Sequence, residues 1–161
     1  MSHAHTATVI RRVLFAFAVA SLAGCDLSTG VEDQPTDPAT ETFAPGLKVN
    51  ITTMTKTVAG TYYQDLKVGS GVPVSGLPDV VVSYLVYLKD ATLVASVPST
   101  TKNLGALIPG IRDAMQGMTP GGERLIVVPS ALAYGNANTV TGIPPNSTLV
   151  FDFVFVGYPI Q

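Results

Sequence analysis

The sequence predicts an α+β domain, a mostly antiparallel sheet with one short helix covering one of its faces. Three observations predict it. Several segments place apolar residues at every second position, the period of a strand with one buried face. Only one interval carries them at helical spacing. The resulting order, strand, strand, helix, strand, loop, strand, suggests strands grouped in a single sheet with the helix laid against it.

Taken along the chain, Tyr63, Leu66 and Val68 precede Gly69-Ser70-Gly71, a turn signal, and read as a strand. Val80 to Leu88, VVVSYLVYL, is a β-branched and aromatic run bounded by Pro78-Asp79 and Lys89-Asp90. From Ile108 to Met118, Ile111, Ala114, Met115 and Met118 fall at i, i+3, i+4 and i+7. Pro109 suits a first helical turn and Pro120-Gly121-Gly122 closes the segment, so this is the helix, with its apolar stripe expected to pack on the sheet. Leu125 to Val128 is a further strand. Asn136 to Pro145, NANTVTGIPP, is too rich in turn formers to be an element and reads as a long, functional loop. After it Leu149, Phe151, Phe153 and Phe155 fall on one face of a last strand.

The segment before residue 46 has a different character. From Arg11 and Arg12 the sequence runs RRVLFAFAVASLAGC, a basic region, an apolar stretch too short to span a bilayer, and small residues before Cys25. It reads as an export signal, and its LAGC ending resembles the lipobox of bacterial lipoproteins, in which the cysteine is acylated and becomes the new N-terminus. Residues 1–24 are thus expected to be a lipoprotein signal peptide, and Cys25 a lipidation site that anchors the chain to a membrane of the bacterial envelope. Asp26 to Pro45, DLSTGVEDQPTDPATETFAP, has five acids and no basic residue, so residues 25–45 are expected to form a lipidated, disordered tether. Residues 46–161 remain as one small domain facing the periplasm or the exterior.

This division excludes whole reaction classes. His3 and His5 are the only histidines and Cys25 the only cysteine. After cleavage and acylation, no Cys nucleophile, Ser-His pair, His or thiolate metal site, or disulfide can be built. No metal is expected. The domain carries seven Lys and Arg against six Asp and Glu, a balance without the basic footprint that nucleic acid binding needs.

The motifs together resemble one family. Tyr62-Tyr63-Gln64-Asp65-Leu66-Lys67-Val68-Gly69-Ser70-Gly71, Val82-Ser83-Tyr84, Leu104-Gly105, Ile108-Pro109-Gly110, Gly121-Gly122-Glu123-Arg124, Leu132-Ala133-Tyr134-Gly135, Ile143-Pro144-Pro145 and Thr148-Leu149-Val150-Phe151-Asp152 are similar, in order and spacing, to the FKBP-type peptidyl-prolyl cis/trans isomerases. The resemblance covers nearly all of Thr61 to Gly157. It implies a curled antiparallel sheet of five or six strands wrapped around one short α-helix, with an apolar active site between them. It also implies a reaction that needs no cofactor and has proline-containing polypeptides as partners; a monomer is expected.

Residue by residue, the resemblance puts Tyr134 as the hydroxyl donor to a substrate carbonyl and Ile108 as a backbone N–H donor, with Leu107 beside it. Ile111 stands at the pocket floor, where tryptophan is common in the family. Ile143 and Phe151 match walls of the proline pocket, and Tyr84 matches the tyrosine on its other side. Two positions depart from the family: Val94 stands for its pocket Phe and Ala95 for its pocket Asp. Valine loses ring contact with proline, and alanine removes the acceptor for the Tyr84 hydroxyl. Reduced turnover is therefore expected, and a non-catalytic, peptide-binding or structural domain on the same fold is the alternative. The flap from Pro98 to Asn103 is expected to be short.

Overall fold

The computed structural model describes residues 35–137 and 140–160. The expected signal segment and Cys25 lie outside the described residues. Six strands form one sheet: β1 (Thr55–Lys56), β2 (Tyr62–Lys67), β3 (Asp79–Leu88), β4 (Leu93–Asn103), β5 (Gly122–Val128) and β6 (Leu149–Gly157). Their order across the sheet is β1-β2-β5-β6-β3-β4, with every neighbouring pair antiparallel. One helix, α1 (Pro109–Ala114), lies against the sheet. The curled sheet and single helix are the architecture the sequence predicts.

The alternation in β6 decides where the core sits. Leu149, Phe151, Phe153 and Phe155 all turn to the helix side and are buried, with Val80, Val82 and Val86 of β3, Ile126 and Val128 of β5, and Ile111, Ala114 and Met115 from the helix segment. Burying one such side chain stabilises the fold by about 1.5–3 kcal/mol. The helix can approach this closely because its second residue is glycine. A Cβ at Gly110 would stand 2.3 Å from Val128 Cγ1 and 3.0 Å from Thr61 Oγ1.

The helix is shorter than its apolar spacing predicts. It stops at Ala114, and Gly117, at φ +78°, adopts a left-handed turn that few other residues accept. Met118 nevertheless reaches the core, through a turn closed by its N–H donating to the Met115 carbonyl at 3.0 Å. Arg124 on β5 supplies the terminus, its guanidinium donating to the Ala114 carbonyl.

Two strands also differ from the expected pattern. In β2 a register shift between Asp65 and Lys67 breaks the alternation, and Leu66 and Val68 face solvent. β4 includes the segment expected as a separate flap, Pro98 to Asn103. It is an edge strand paired only with β3, and its register shifts across Pro98, so the missing N–H of that proline removes no ladder bond.

The described part of the expected tether is a docked strap instead. Pro38 is buried, Asp37 accepts from the Tyr62 hydroxyl at 3.1 Å, and the Ala44 N–H donates to the Lys89 carbonyl at 2.8 Å. The Glu41 side chain is only 4% exposed, accepts from the Thr36 and Thr148 hydroxyls and pairs with Lys89 at 3.1 Å. Burial pushes its carboxyl up, but the hydrogen bonds from Thr148, Thr36 and Lys89 outweigh burial and hold it below its ordinary value. Phe43 and Ala44 pack on a second apolar cluster, Leu47, Met54, Tyr62, Leu125, Val127 and Val150, on the sheet face away from α1. Acidic composition predicts an extended segment, yet Asp37 and Glu41 find buried partners distant in sequence, Tyr62 and Thr148.

Candidate active site

The side chains of β3, β4 and β6 on the helix side, the turn into α1 and the loop after Ala133 enclose a cavity of about 380 Å³. That is within the range that holds small ligands. Tyr134, Ile108 and Phe151 line it together, so the predicted donor tyrosine, backbone donor and proline wall share one space. Tyr84, Val94, Leu107, Ile111 and Ile143 line it as well.

Six further lining residues escape the sequence reading: Val86, Val97, Lys102, Ala106, Val140 and Phe153. Val86 and Phe153 carry a legible signal, because they share the alternating face of Tyr84 and Phe151. Val97 and Lys102 sit on β4, which does not read as a strand from the sequence. Lys102 is the one charged side chain lining the cavity among the described residues.

Local structure explains each position. Ile108 precedes Pro109, which forces it to extended backbone, here φ −58° and ψ 149°, before the helix begins. Its carbonyl accepts from the Ile111 and Arg112 N–H groups, while its own N–H meets no acceptor among the described residues. Tyr134 follows a single turn, Ser130–Leu132, and Gly135 at φ +59° folds its N–H back to the Ser130 carbonyl at 2.8 Å. Asn146 donates to the Gly135 carbonyl at 2.7 Å, which ties the far end of the long loop beside Tyr134. Ile143 is carried by that loop and is buried.

Aromatic packing fixes the other side. The Tyr84 ring stacks on Phe153, centroids 5.4 Å apart and planes 7° apart, and tilts against Phe151 at 6.0 Å. Burial raises the Tyr84 phenol above its ordinary pKa and the neighbouring Tyr134 phenol adds to the effect, so the Tyr84 hydroxyl stays protonated at physiological pH. No carboxylate lines the cavity among the described residues. An apolar ring can enter it, and the Tyr134 hydroxyl and the Ile108 N–H are free to hold carbonyls. A second concavity of about 300 Å³ lies beside Pro144 to Thr148, but Glu41, Lys89 and Asp90 line it and none of the predicted pocket residues does.

Comparison with known proteins points the same way. The family model for FKBP-type peptidyl-prolyl cis-trans isomerase matches residues 73–155. The isomerase FkpA of Escherichia coli is 38% identical over 98 residues, 58% of this chain and 36% of FkpA. FK506-binding protein 4 of Neurospora crassa is 35% identical over 127 residues, 76% of this chain and 26% of that protein. The chain therefore spans well under two thirds of the length of these relatives. Among solved structures, FkpA of Escherichia coli aligns with a TM-score of 0.60 and 33% identity, covering 66% of this chain and 53% of that one. A peptidyl-prolyl cis-trans isomerase of Pseudomonas syringae aligns with a TM-score of 0.61 and 26% identity, covering 70% and 85%. The family match takes in over half of the chain and runs from the approach to β3 into β6, through the segments that enclose the cavity; the chain belongs to the FKBP-type peptidyl-prolyl cis-trans isomerase family.

Proposed function

We propose that this chain catalyses cis/trans isomerisation of X-Pro bonds in exported polypeptides. The observation that carries the reading is the shared cavity: Tyr134, Ile108 and Phe151, drawn from three distant segments, line one apolar space, and the Ile108 N–H and Tyr134 hydroxyl meet no acceptor among the described residues. Rotation about an X-Pro amide faces a barrier on the order of 20 kcal/mol because resonance keeps the bond planar. At the twisted geometry that resonance is lost and the amide dipole shrinks, so a water-poor, apolar site favours it over the planar form. Tyr134 and Ile108 hold flanking carbonyls, and Phe151, Ile143 and Ile111 surround the proline ring. No bond breaks and no reactive side chain is needed. Val94 and Ala95 leave a pocket with less aromatic contact, which supports modest rather than high turnover.

Stopped-flow measurement with a proline tetrapeptide tests this. The purified chain should accelerate isomerisation, and Tyr134→Phe should lower kcat/KM about tenfold, the effect of one hydrogen bond of about 1–1.5 kcal/mol. A chain that binds the peptide without accelerating it is instead a non-catalytic binding domain.

The export and anchoring reading rests on the LAGC sequence at Cys25. We place the domain on the outer side of a bacterial membrane, tethered through lipid on Cys25, where slow prolyl isomerisation limits the folding of exported chains. Cys25→Ser should move the chain from the membrane fraction to the soluble fraction. An unchanged distribution rules out the anchor.

A further inference from the structure

We infer that Lys102 sets a charge preference for the pocket: the favoured peptides carry an aspartate or glutamate beside the proline, and peptides with a lysine or arginine there are disfavoured. The inference rests on the cavity being a peptide site, as proposed above, and names the class of peptide it takes.

The β3–β4 ladder fixes where Lys102 stands. Val80, Val82, Tyr84 and Val86 of β3 turn to the helix side, and their partners on β4 are Lys102, Thr100, Val97 and Ala95. Directly paired residues share a face, so the Lys102 side chain leaves the sheet on the cavity side. The backbone after it is held. The Asn103 side chain donates to Asp79 at 2.8 Å and accepts from the Gly105 N–H at 3.0 Å, and the Leu104 N–H donates to the Pro78 carbonyl at 2.9 Å. Lys102 is exposed although it lines the cavity, so its aliphatic stem follows the wall while its ammonium reaches water.

No anion of the protein answers this charge among the described residues. The cavity lining holds no carboxylate, and Thr100, Val97 and Ala95 on the same β4 face are uncharged. The three ion pairs, Lys56–Asp37, Lys89–Glu41 and Arg124–Asp65, leave Lys102 out. Asp79, the next acid along the ladder, lies opposite Asn103 and therefore on the other face, where the Asn103 amide holds it.

The pocket thus presents one formal charge, positive, against apolar walls that focus its field. Ala106, Leu107 and Ile108 continue the lining from Lys102, so the cation stands on the side where the Ile108 N–H is placed to hold a substrate carbonyl. With the proline ring against Phe151 and Ile143, a carboxylate on the adjoining residue is attracted to Lys102 and an ammonium is repelled. A rim charge of this kind acts chiefly on the rate of encounter and fades with salt.

Calorimetric titration with two sets of proline tetrapeptides tests this. One set carries Glu, Gln or Lys directly before the proline, the other directly after it. At low salt the Glu peptide should bind roughly fivefold or more tightly than the Lys peptide in one set, with the Gln peptide between. The ratio should shrink toward one at about 1 M salt, where charges are screened within about 3 Å. Lys102→Gln should bring the low-salt ratio near one, Lys102→Glu should invert it, and Lys102→Arg should keep it. A damaged pocket would lower both affinities together and leave the ratio alone. Equal Kd values for the Glu and Lys peptides in both sets overturn the inference, and so does a ratio that survives Lys102→Gln. Charge discrimination without acceleration sinks the isomerase reading and leaves the role of Lys102 standing. Acceleration without discrimination does the reverse, and a chain that binds no peptide overturns both.

Discussion

Phe153→Ala should destabilise the domain by about 3–5 kcal/mol, the range for deleting a fully buried phenylalanine. Phe153 has no exposed surface and lies at the centre of β6, opposite Arg124 of β5 on one side and Tyr84 of β3 on the other. Its loss opens a void between sheet and helix that neighbours on two strands cannot collapse to fill. It also removes the face on which Tyr84 stacks, so peptide affinity should fall further than in Phe153→Leu, which keeps most of the volume. Urea unfolding measures the first effect and calorimetric titration the second. A loss under about 1 kcal/mol would mean that the sheet repacks around the gap, and the rigid pocket wall described above would not exist.

Arg124→Met should cost about 2–3 kcal/mol, from losing a charged hydrogen bond at a buried carbonyl. Arg124 is 5% exposed, donates to Asp65 at 2.7 Å and to the Ala114 carbonyl, and lies over the Tyr63 ring at 4.0 Å. Methionine preserves the apolar stem but removes the guanidinium donor to the Ala114 carbonyl. Asp65 is partly exposed and can rehydrate, so Asp65→Asn should cost only about 1 kcal/mol. Because α1 carries Ile111 and follows Ile108, Arg124→Met should also weaken peptide binding, whereas Asp65→Asn should not. Equal losses for the two variants, read from urea midpoints, would place the energy in the ion pair and not in the helix terminus.

Two of the three strands that line the cavity, β3 and β6, were legible in the sequence for a local reason. In β6 the apolar residues keep a period of two with one face buried, and β3 is a nearly continuous β-branched and aromatic run. The candidate site residues were legible through motifs of the same kind, short and contiguous. Where the local pattern breaks, the reading breaks with it. The bulge in β2 turns Leu66 outward, and β4, interrupted by a register shift across Pro98, is missed altogether, with Val97 and Lys102. The strap misled in another way, since Asp37 and Glu41 have the composition of a solvated segment but bond to Tyr62 and Thr148, 25 and 107 residues away.

By itself, then, the order of residues determined four of the six strands, the apolar face of β6, and that with cleavage and acylation at Cys25 no Cys nucleophile, Ser-His pair or His or thiolate metal site can be built in the domain. Tertiary structure alone decided where the acids and the buried arginine find partners and where α1 stops. Strand phase depends on neighbours one and two positions apart, which a linear pattern records. The partner of a charge or a phenol depends on which strand comes to lie beside it, and that is settled only when the sheet closes.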